Sequence, residues 1–300
     1  MQKHKSTLTA HMMLCNEESW VWYAVMAIID YVDHIIIYDT GSTDSTVEII
    51  SEIIKEPEYA KKIIFEEKGK VEREEFVKLR DEMVQRTVDD YFMVVDGDEI
   101  YYKDQLIKLR EALDSDEGYE VGVTGFICCA GDVKHYRNPK TEHYNHCGRK
   151  GALMQRVTSM KIEGIHCGSS DGKWDGYYDK AGKYVVPDSG YKTFWADGFY
   201  LHMSYMMRSS SLKKDAEVGW PSGRLNKFKN KSTWDAAFPE DFKYPEVFYI
   251  DRPETIRDPW KRDPGLERRI LQILKNIVLL FRQPKVEIEK FDITACYHDK

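Results

Sequence analysis

At 300 residues with 42% hydrophobic content, the chain is long enough to bury a substantial core, as one large domain or two small ones. Its 51 acidic against 44 basic residues give a formal net charge of −7, which excludes a general nucleic-acid binder, so no nucleic-acid partner is expected and an anionic ligand needs a local site. The N-terminus lacks the apolar run of a secretion signal and no stretch approaches the roughly 18 apolar residues of a membrane span, which predicts a cytoplasmic protein with reduced thiols.

The first hundred residues read as a repeated strand–helix unit. Apolar runs at 8–14, 35–38, 63–65 and 92–95 predict four strands, spaced widely enough for a helix between each pair. The intervening helices are expected over 17–31 after an Asn16 cap, over 46–55 after Thr43 or Asp44, and over 71–87 with Phe76, Leu79, Met83 and Val84 on one face. This alternation predicts an α/β fold: a mainly parallel sheet flanked by helices, with its ligand at the carboxyl edge of the strands.

Three polar clusters fall at that edge: CNEE (15–18), DTGSTDST (39–46) and DGDE (96–99). In the third, acidic groups are crowded directly after an apolar strand, where they repel one another unless a cation or hydrogen-bond donors neutralise them. Oxygen ligands one residue apart, Asp96-Gly97-Asp98, suit a hard divalent ion such as Mn2+ or Mg2+, which keeps open positions for substrate phosphates.

Beyond residue 118 the pattern turns glycine-rich and aromatic, as expected of a mixed region shaping a second substrate's site. Cys128, Cys129, His135, His143, His146 and Cys147 lack paired zinc-ligand spacing and read as buried thiols and loop histidines. From Pro221 onward repeated prolines suggest an appended tail. It ends in an amphipathic helix at 266–282, read as packed on the body, with a partner helix or a peripheral membrane contact as the other assignments.

CNEE, IIIYDTGSTDST, the LRDEM that contains Arg80, and VVDGDE together resemble the successive landmarks of family 2 glycosyltransferases of the GT-A fold, over about residues 8–102. The resemblance implies a metal-dependent, inverting glycosyltransferase that moves a sugar from a nucleotide-sugar, typically UDP-linked, to a glycan or lipid-linked acceptor. It implies that Asn16 and Glu17 lie beside the nucleotide, that Asp39 bonds the base, and that Arg80 faces the base or diphosphate. Asp96 would approach ribose and metal, and Asp98 would be the main metal ligand. Tyr38-Asp39 and Arg80-Asp81 depart from the Asp-Asp and Arg-Asn common in the family.

More faintly, GRKGALMQRVTSMKIEGIHCGS resembles an arginine-bearing strand followed by a G-x-x-H-E turn near the acceptor, with Cys167 in place of the glutamate. His166 is then the first candidate for the catalytic base and Asp171 the second, with Glu163 and Asp175 behind them. DGFYLHMSYMMR resembles the late strand that presents a histidine to the metal, which assigns that role to His202. Arg208 and the pair Lys213–Lys214 read as an exposed charged helix face, with phosphate contact as the other assignment.

The expected division is 1–125 for the nucleotide-sugar half, 126–220 for the acceptor half and 221–300 for a C-terminal extension. The rival readings are a phosphatase of the haloacid dehalogenase type, with Asp96 as nucleophile, a nucleotidyltransferase sharing the sheet and metal, and a carbohydrate-binding protein without turnover.

Overall fold

The computed structural model describes residues 4–139, 142, 144–169, 175–209 and 236–253. Strands β1 (Leu8–Leu14), β2 (His34–Asp39), β3 (Ile63–Glu67) and β4 (Tyr91–Val94) lie parallel in the order β4-β1-β2-β3. β1 is central, and all of its seven residues are buried, as an apolar strand covered on both faces must be. The chain steps outward from β1 to β3 and then returns to the other side of β1 with β4. That reversal opens a crevice at the carboxyl ends of β1 and β4.

The helices are α1 (Val21–Ile28), α2 (Thr46–Ile54), a short α3 (Pro57–Ala60), α4 (Arg73–Arg86) and α5 (Lys103–Asp114). On α4 the expected face is the buried one: Phe76, Leu79 and Met83 pack with Met13, Ile36 and Tyr38 in one cluster, and Val84 joins Phe92 in another. α1 is shorter than the expected 17–31. Residues 17–20 form a turn in which the Trp20 and Val21 amides donate to the Glu17 carbonyl, and Asn16, at φ 55°, does not cap the helix.

After β4 the short β5 (Glu99–Ile100) leads through α5 to β6 (Val121–Ala130) and β7 (Asp132–Tyr136). Then follow the hairpins β8 (Tyr144–His146)/β9 (Arg149–Gly151) and β11 (His166–Gly168)/β12 (Gly176–Tyr178), with β10 (Leu153–Ser159) between them and β13 (Thr193–Tyr205) after them. β10 joins the two halves of one ten-stranded sheet by pairing antiparallel with both β4 and β6. β13 runs parallel to β6 and antiparallel to β5, so that His202 lies opposite Glu99.

The expected boundary at residue 125 lies within β6, a continuous strand of the shared sheet. Residues 236–253 pack on the body: β14 (Ala236–Ala237) pairs with β7, Phe238 stacks on Phe242 at 3.9 Å and on Tyr136 at 4.5 Å, and Phe248 meets Tyr23 edge-on at 5.0 Å. The helix expected at 266–282 and the pair Lys213–Lys214 lie outside the described residues. Among the described residues the five cysteines are free thiols, and no helix is long and apolar enough to cross a membrane.

Candidate functional site

The loops after β1 and β2 are locked to each other by their own motif residues. Asn16 accepts the Thr43 amide on its Oδ1 at 2.7 Å, while its backbone amide donates to Ser42 Oγ at 2.8 Å. The Glu17 amide donates to Thr46 Oγ1 at 2.8 Å, and Asp44 accepts both the amide and the hydroxyl of Thr46 where α2 begins. Asp39, expected to bond a nucleotide base, holds its own turn. Its Oδ1 accepts the amides of Gly41 and Ser42 at 3.0 and 2.8 Å and its Oδ2 accepts the Ser42 hydroxyl, leaving the residue 2% exposed. Gly41 sits at φ 95°, and a Cβ there would lie 2.8 Å from the Lys70 backbone nitrogen.

The acidic turn after β4 stands beside these loops. A Cβ on Gly97 would meet Leu14 Cδ2 at 2.7 Å and Glu17 Cγ at 2.9 Å, so glycine permits the close approach of this turn to the first loop. The repulsion expected among the crowded carboxylates is answered from within the chain. Asp96 lies 3.4 Å from Arg156 Nη2 and 3.9 Å from Arg80 Nη2. Arg156 also bonds Glu99, and it donates from Nε to the Tyr200 hydroxyl at 3.1 Å. Asp98, fully buried, is contacted by the Arg208 guanidinium, which reaches Glu17 as well, and His202 Nε2 stands 3.4 Å from the same Asp98 oxygen.

These surroundings set the protonation states. Burial works against an ionised Asp96, but Arg156 and Arg80 outweigh it and hold its pKa below the ordinary carboxylate value. For Glu99 burial wins over Arg156, and its pKa is pushed up to about 7. Burial also opposes charge on His202, yet the Asp98 carboxylate holds its pKa well above the usual imidazole value.

As the side chains stand, the expected set Asp96, Asp98 and His202 does not fit a divalent ion. Among the described residues no group of three or more His, Cys, Asp or Glu side chains is placed to hold one. Asp96 faces two arginines, and the Asp98 oxygen faces Arg208 and a cationic histidine. The same finding bears on zinc: His135 bonds Asp132, His146 faces Asp188, and His143 lies outside the described residues.

In the second half, Arg80 Nε reaches Asp175 Oδ2 at 2.8 Å, so a single guanidinium links Asp175 to Asp96. Cys167 is on the same side: its amide donates to Asp81 Oδ1 at 2.8 Å, and burial above all pushes its thiol up to about 12. His166 alternates to the other face of the hairpin, opposite Tyr178, and its Nδ1 donates to the Gly164 carbonyl at 2.9 Å. Asp171 lies outside the described residues, and Glu163 is at the surface paired with Lys180.

Sequence reasoning misplaced Arg208, which is 7% exposed rather than on a solvated face. It also did not find that the arginine of the GRKGALMQRV strand, Arg156, meets Glu99.

The glycosyl transferase family 2 model matches residues 9–168. Among solved structures the chain is similar to the mannosyltransferase PcManGT from Pyrobaculum calidifontis in complex with GDP-Man and Mn2+, at 13% identity over 93% of this chain and 82% of that one, with a TM-score of 0.42. It is similar to S. aureus TarS 1–349 at 11% identity over 66% and 60%, TM-score 0.43. It is similar to glucosyl-3-phosphoglycerate synthase from Mycobacterium tuberculosis in complex with Mn2+ and UDP-glucose at 18% identity over 41% and 44%, TM-score 0.31. The matched part therefore spans 44% and 60% of the last and second of these proteins. No curated protein sequence matches the chain. With more than half of its length matched by the family model, and with the α/β sheet and strand-end loops of the GT-A arrangement, the chain belongs to glycosyl transferase family 2.

Proposed function

We propose that the protein transfers a sugar from a UDP-linked donor to a hydroxyl of a glycan or lipid-linked acceptor, with inversion at the anomeric carbon. The observation that supports this most is the pairing of Asp96 with Arg80 and Arg156 at the carboxyl edge of β4, where the strand order reverses. Asp96 is the member of the acidic turn that is partly open, its side chain 35% exposed.

The acceptor oxygen attacks the anomeric carbon as the bond to the diphosphate oxygen breaks, through a transition state with oxocarbenium character. Negative charge grows on the leaving oxygen, and Arg80 and Arg156 are two largely buried guanidiniums beside the open carboxylate that can meet it. The acceptor proton passes to a carboxylate. Asp175 is the favoured acceptor, because it shares Arg80 with Asp96, whereas Cys167 holds its proton and His166 is on the other face of its hairpin. No step in this reading runs through a divalent ion.

The phosphatase reading does not fit. Its nucleophile ends the first strand of the domain, but Asp96 follows the fourth strand and is held by two arginines.

The test is thermal stabilisation by a panel of nucleoside diphosphates, together with turnover of the matching nucleotide sugars. UDP is expected to raise the melting temperature of the wild type and not that of Arg80→Ala. A panel without any stabilisation, alongside glycan binding, would favour the carbohydrate-binding protein without turnover.

A further inference from the structure

We infer that Tyr200 is a positioning residue for the transfer: its hydroxyl takes one edge of the Arg156 guanidinium and so presents the remaining nitrogen, Nη1, to the leaving diphosphate. The inference rests on the donor reading, in which Arg156 meets the charge that grows on the leaving oxygen. Arg156 does not occupy a regular position of β10. Gln155 pairs with Val123 of β6 and Val157 with the adjacent Gly122, so Arg156 is the extra residue of a β-bulge, a device that re-aims a side chain. What receives it is Tyr200 of β13. Arg156 Nε donates to the Tyr200 hydroxyl at 3.1 Å and Nη2 at 3.0 Å, so one edge of the guanidinium converges on a single oxygen. Nη2 also bonds Glu99 and lies 3.4 Å from Asp96, whereas Nη1 has no partner among the described residues.

The two carboxylates do not fix the orientation of this group. Both act through Nη2, a single point about which the guanidinium plane can swing, and the Nε bond to Tyr200 supplies the second point. The hydroxyl is itself held. Tyr200 is fully buried, its ring stacks on Tyr101 at 4.7 Å and on Phe126 at 5.9 Å, and its own hydrogen is directed to Met154 Sδ at 3.8 Å. A donor group that is oriented before the charge develops needs no reorganisation when it does, and a displacement of about 1 Å in such a group can cost about 10²-fold in rate. Loss of the hydroxyl therefore falls on the transfer step more than on donor binding.

The test uses Tyr200→Phe, which keeps both ring stacks and removes only the oxygen, with Arg156→Lys and the double variant, each assayed for UDP release from the UDP-linked sugar that the wild type turns over. Tyr200→Phe should lower kcat at least tenfold with the donor KM within about threefold of the wild type. In the Arg156→Lys background the same change should lower kcat less than about twofold further, because the hydroxyl acts through the guanidinium. A folded Tyr200→Phe protein with kcat within about twofold of the wild type would overturn the inference, as would losses that multiply in the double variant. Should Tyr200→Phe fail to fold, Arg156→Lys decides: it keeps the charge without the planar edge, and wild-type kcat in it would overturn the inference. If the wild type turns over no nucleotide sugar, the donor reading falls, while crystal structures of the wild type and Tyr200→Phe still decide whether the hydroxyl holds Arg156, an unmoved guanidinium counting against it.

Discussion

Cys167 stands at the turn where the family resemblance implies a proton acceptor, and a buried thiol held at about 12 cannot take that part near neutral pH. Of the two carboxylates that act on that thiol, Asp175 and Asp81, Asp175 is the one that Arg80 ties to Asp96. A positioned base contributes about 10²–10⁴-fold to rate. Asp175→Asn is therefore expected to lower kcat by about 10²-fold or more while UDP still stabilises the protein, and His166→Ala to leave kcat within a few-fold. The reverse ranking in steady-state kinetics would return the role to His166. Asp39 teaches the complementary lesson. A carboxylate after a strand and before a glycine turn suits either a ligand or its own turn amides, and the sequence pattern is the same for both.

Among the elements, β1 carries a second buried ionisable group, His11, stacked on Phe92 at 4.7 Å. Thr87 Oγ1 donates to the Met83 carbonyl, so the His11 Nε2 hydrogen is the one shared with Thr87 at 2.7 Å, and Nδ1 is left buried without a bond. Burial first, and the charge of Arg80 second, push its pKa down to about 3. A pKa held below the unfolded value contributes stability that is complete above about 6.5 and is lost as pH falls toward 3, at about 1.4 kcal/mol per pH unit. His11→Phe keeps the ring on Phe92 and removes this slope. Melting temperatures measured from pH 7 to pH 4 should fall more steeply for the wild type than for the variant. The strands and α4 were legible because each depends on a local apolar period. The partners of the acidic turn were not. Arg156 meets Glu99 across 57 positions and Arg208 meets Asp98 across 110, and only the order of strands in the sheet brings those segments together.

For the molecule as a whole, that dependence removes any independent first half. A nascent chain that has released only residues 1–125 carries Glu17, Asp98 and Glu99 toward the interior while Arg156, His202 and Arg208 are still unmade or inside the ribosome. Buried acids without their cations are strongly destabilising. The isolated fragment 1–125 is expected to unfold without a cooperative thermal transition when followed by circular dichroism, whereas the full chain should melt as a unit. Synthesis thus imposes a waiting period: the first half can acquire a settled interior only when β10, β13 and the segment after it arrive to deliver the opposite charges, late in translation.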